Sequence, residues 1–177
     1  NDYNSSIVDP YYRIDMYSTS VDVSTSMTGT KDNLIAVGQK NELSDPSVDT
    51  NKDKMKITVK SVGGIDLKGK NSSGVVVEFG TVKNEGTITT SGETSIGIVA
   101  ADNSVVSNTG SINIGSKGAG ILGVNQLTLS PESNKGINIT NTGNITAVTT
   151  TTPSPESVIG ISALNDTTTY TSAISEV

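Results

Sequence analysis

Val82-Lys83-Asn84-Glu85-Gly86-Thr87-Ile88-Thr89 is one copy of a pattern written four times in this chain. It returns as Val106-Ser107-Asn108-Thr109-Gly110-Ser111-Ile112-Asn113 and as Ile139-Thr140-Asn141-Thr142-Gly143-Asn144-Ile145-Thr146. A fainter copy, Val59-Lys60-Ser61-Val62-Gly63-Gly64-Ile65-Asp66, precedes them. The shared form is apolar-x-Asn-x-Gly-x-Ile-x. Gly63, Gly86 and Gly110 are spaced 23 and 24 residues apart, and a fixed period of this size signals a repeat architecture.

A second motif keeps the same step. A glycine leads two or three apolar residues in Gly74-Val75-Val76-Val77, Gly97-Ile98-Val99-Ala100, Gly120-Ile121-Leu122 and Gly160-Ile161-Ser162-Ala163. Gly74, Gly97 and Gly120 lie 23 and 23 apart. Each repeat then holds three short strands: one after the Asn-x-Gly turn, one on the Gly-apolar run, and one leading into the next Asn. Short strands joined by turns at a constant period predict an all-β parallel β-helix, a solenoid whose coils stack about 4.8 Å apart. Ile88, Ile112, Ile145, Ile98 and Ile121 are expected in the core.

Composition agrees. Hydrophobic residues make up 33% of the 177, against roughly 45–50% in ordinary domains, too few for a thick core. A solenoid needs only a thin one. Disorder is the competing reading of so much Ser, Thr, Gly and Asn, but the apolar residues are phased rather than scattered. With no cysteine there is no disulfide, thiolate site or cysteine nucleophile, and with no histidine the commonest general base and most zinc sites are gone. A net charge of −6 with one arginine, Arg13, makes a poor ligand for nucleic acid. No run of about 18 apolar residues is present. The sequence has neither an initiator Met nor a signal peptide, and it is expected to be a piece of something longer.

In chain order, residues 1–33 read as an N-terminal strand and cap-like segment, with Tyr3, Tyr11, Tyr12 and Tyr17 able to hide an open end of the stack or to form a sticky patch. Coils are expected over 34–177. Leu34-Ile35-Ala36-Val37-Gly38 reads as a degenerate Gly-apolar strand with Asn33 in place of the glycine. Three stretches break the period: 39–54, 124–135 and 149–156. Insertions in repeat proteins form surface loops and often the binding face. The first two occupy the same point of their coils, three coils apart, so stacking brings them to one side, roughly 15 Å from each other. Their polar residues Asp45, Asp49, Asn51, Asp53, Glu132, Asn134 and Lys135 are the candidate binding residues. The flat coil faces, poor in aromatics, offer little area for hot spots.

The motif residues themselves read as structural. Glycine reaches positive φ at little cost and marks a sharp corner. Stacked asparagines at 84, 108 and 141 form a ladder in which each amide donates to the next. Gly86 and Gly110 then hold positive-φ or tightly packed turn positions, and Gly143 is the matching turn residue of its repeat. No cofactor or metal is expected: Asp49-Thr50-Asn51-Lys52-Asp53 opens like a calcium loop, but Lys54 stands where glycine is required and Lys60 where glutamate is. A carbohydrate-active β-helix enzyme is the alternative reading. It needs paired carboxylates, and Glu78, Glu85, Glu93, Asp102 and Glu132 do not recur at one coil position.

The Asn-x-Gly-x-Ile repeats, each followed by strands such as Ser95-Ile96-Gly97-Ile98 and Gly118-Ala119-Gly120-Ile121, resemble passenger domains of bacterial autotransporters (type V secretion), particularly the large RadD-like outer-membrane adhesins of fusobacteria. The resemblance covers about residues 55–165. It implies a right-handed parallel β-helix shown at the outside of a Gram-negative cell, held to the outer membrane by a C-terminal β-barrel and continuous with further β-helix. It also implies a virulence-related role in adhesion without catalysis, the partner being a host cell-surface protein or glycan or another bacterial surface. The family's binding residues are not part of the repeat, so none carries over.

Overall fold

A computed structural model describes residues 20–40, 56–125, 136–148, 157–164 and 169–172. The first coil holds β1 (Val21–Val23), β2 (Ser26–Gly29) and β3 (Ile35–Lys40). The second holds β4 (Lys56–Val59), β5 (Gly64–Leu67) and β6 (Ser73–Glu78), and the third β7 (Thr81–Asn84), β8 (Thr87–Thr90) and β9 (Ile96–Ala101). The fourth holds β10 (Val105–Asn108), β11 (Ser111–Ile114) and β12 (Ala119–Val124), and the fifth β13 (Asn138–Asn141), β14 (Asn144–Ala147) and β15 (Ile159–Leu164). A sixth coil begins with β16 (Thr169–Ser172).

Every third strand joins one sheet. The orders are β1-β4-β7-β10-β13-β16, β2-β5-β8-β11-β14 and β3-β6-β9-β12-β15, and the pairings are parallel. This is the parallel β-helix that the period predicts. The repeat expected from residue 34 already holds upstream of it, since β1 pairs with β4 and β2 with β5.

Because the strands are in register, one sequence position forms one column of the core. Ile57, Val82, Val106 and Ile139 stack in the first sheet, and Ile65, Ile88 and Ile112 in the second. Val75, Ile98 and Ile121 stack in the third. Side chains at these positions are fully buried or nearly so. Each is worth about 1.5–3 kcal/mol of transfer free energy before the entropy of ordering the chain. Ile145 continues its column in the fifth coil but is only partly buried against the core.

Register corrects one assignment. Ile35 pairs with Ser73 and Val37 with Val75, so Ala36, not Asn33, stands opposite Gly74. Asn33 is instead the corner residue two places before its strand. It has φ 62°, as Asn71 (54°), Thr94 (59°), Lys117 (56°) and Ser157 (42°) do before β6, β9, β12 and β15. In each of the first five coils this left-handed corner is thus made, among the described residues, by a residue with a side chain. Gly136 is the glycine found at positive φ among the described residues.

Candidate functional site

The motif glycines are required for space rather than for φ. A Cβ on Gly86 would lie 2.3 Å from the Lys60 carbonyl oxygen, one on Gly110 2.1 Å from that of Gly86, and one on Gly143 2.0 Å from that of Gly110. The cause is the hydrogen bonding of the corner. The Asn84 carbonyl accepts from the amides of both Thr109 (2.9 Å) and Gly110 (3.0 Å), and the Asn108 carbonyl accepts likewise from Thr142 and Gly143. Two amides converging on one oxygen draw the coils into contact at that corner. The expected alternative of positive φ does not occur there.

The asparagine ladder forms as expected. Asn84 Nδ2 donates to Asn108 Oδ1 at 2.7 Å, and Asn108 Nδ2 donates to Asn141 Oδ1 at 2.6 Å. The upper end closes on the Gly143 carbonyl (3.3 Å), while Asn84 Oδ1 accepts from the Gly86 amide (3.2 Å). All three asparagines are buried. Below Asn84 the column continues as Val59.

Two further polar columns were not recognised from the motifs. The Leu34 amide donates to Ser72 Oγ (3.2 Å), the Ser72 amide donates to Ser95 Oγ (3.0 Å), and Ser95 Oγ donates to the Gly69 carbonyl (3.1 Å). The signal was present in Asn71-Ser72-Ser73 and Thr94-Ser95-Ile96, which occupy the same phase. At the third corner the Phe79 amide donates to the Asp102 carbonyl, and the Asp102 amide to that of Val124. Phe79, Asp102 and Asn103 are all at positive φ and buried there.

Charges alternate up the corner before the third sheet. The Lys70 amide donates to Asp32 Oδ1 (2.8 Å), and Glu93 receives Lys70 Nζ at 3.1 Å and Lys117 Nζ at 2.8 Å. Hydrogen bonds from Lys117 and Lys70 hold the Glu93 carboxyl below its ordinary pKa. Glu85 is lowered too, first by its hydrogen bond with Lys83 and then by the charges of Lys83, Lys60 and Lys56, with burial opposing. Both carboxylates are kept ionised, the reverse of what a general acid needs. Among the described residues no group of three or more acidic side chains is placed to hold a metal ion.

The candidate binding residues Asp45, Asp49, Asn51, Asp53, Glu132, Asn134 and Lys135 lie outside the described residues. So does the insertion 149–156. The strands from which the first two insertions leave are described. β3 ends at Lys40 and β12 at Val124, and these positions fall in one column of the third sheet, linked through Glu78 and Ala101.

A family model, the BigA third pectate lyase-like domain, matches residues 4–174. The match supports an autotransporter or adhesin passenger-like domain. No curated protein and no solved structure matches the chain. A match over nearly the whole length, to a fold that the coil register reproduces, places this chain in the family of BigA third pectate lyase-like domains.

Proposed function

We propose that this domain is a non-catalytic segment of a surface adhesin. It either spaces a binding tip from the cell or attaches to host cells or partner bacteria through its insertions. The observation that carries this reading is the common column of Lys40 and Val124, which brings the roots of two insertions to one sheet end. Rigid coils with satisfied polar corners suit a scaffold, and function in such proteins concentrates on the loops that break the period. In this reading the parent protein stands outside the cell, anchored through a membrane β-barrel, with further β-helix continuous with this domain. The finer likeness to RadD-like fusobacterial adhesins rests on the repeat motif alone.

The test is a glycan and cell-binding screen of this domain beside a version with residues 41–55 and 126–135 cut back to plain turns. Binding that disappears with the insertions supports attachment. Binding that persists moves attention to the tyrosines at 3–17. No binding by either form favours the spacer role. Turnover on a polysaccharide panel would replace the whole reading with a carbohydrate-active enzyme.

A further inference from the structure

We draw no further inference here: the strongest candidate, the exposed aliphatic side chains of Ile35, Ile159 and Leu164 in the two end coils of the third sheet, is an unpartnered apolar patch, and nothing in the structure shows what covers it.

Discussion

Asn84 and Asn108 are joined side chain to side chain across one coil step, Nδ2 to Oδ1 at 2.7 Å, with neither residue exposed to water. Each buried amide in the column depends on its neighbours for hydrogen bonds that solvent cannot replace. Asn108 is the middle rung. Asn108→Ala leaves Asn84 Nδ2 and Asn141 Oδ1 short of a partner and is expected to cost about 2 kcal/mol or more. Asn84→Val should cost less, because it orphans one neighbour and extends the apolar column that Val59 begins. Denaturant midpoints of the two variants check this; equal losses would mean that the ladder is not acting as a chain.

Gly110 and Gly160 make a matched pair. A Cβ on Gly110 meets the Gly86 carbonyl oxygen at 2.1 Å, backbone that cannot step aside, while one on Gly160 meets nothing within 4 Å. Gly110→Ala is expected to destabilise by about 3 kcal/mol or more. Gly160→Ala should stay within about 0.5 kcal/mol. Thermal unfolding of both gives the answer, and a tolerated Gly110→Ala would refute the close-approach account.

Thr90 stacks between Leu67 and Ile114 and is fully buried, and its hydroxyl has no hydrogen-bond partner. Thr90→Val keeps the shape and removes the orphaned group. The expected gain is about 1 kcal/mol. A loss of stability in urea titration would show that the hydroxyl is satisfied in solution.

Glu93 is held below its ordinary pKa by Lys117 and Lys70. Its folded value lies below its unfolded one. The ion pairs therefore stabilise fully above the unfolded pKa, and that contribution is lost as pH falls through the folded value. Stability should decline with acid below about pH 4.5. Glu93→Gln should flatten that decline, and added salt should shrink the difference because the group is exposed. Urea midpoints taken down through the acid range, with and without the substitution, measure it. Parallel curves would assign the acid sensitivity to other carboxylates.

The sequence by itself determined the coil, the three strands within it, and the residues that must be asparagine or glycine at its corner. It could do so because stacking turns periodicity into contact: residues of one phase, such as Ile88 and Ile112, become neighbours about 4.8 Å apart. What a repeat requires of every coil is therefore written several times over. The tertiary structure decided what the coils do not share alike. Sequence could not choose between positive φ and close approach for Gly110, since both demand glycine; the converging amides of Thr109 and Gly110 choose the second. The left-handed corners at Thr94 and Lys117 belong to residues that rarely favour that region, and they adopt it because the neighbouring coils fix the path of the chain. The Ser72–Ser95 bond and the lysines on Glu93 depend on which side of a strand a residue faces and on what the next coil sets beside it. Those are properties of coil registration in space, and they appear only when chain segments of unequal length have closed into turns of equal circumference.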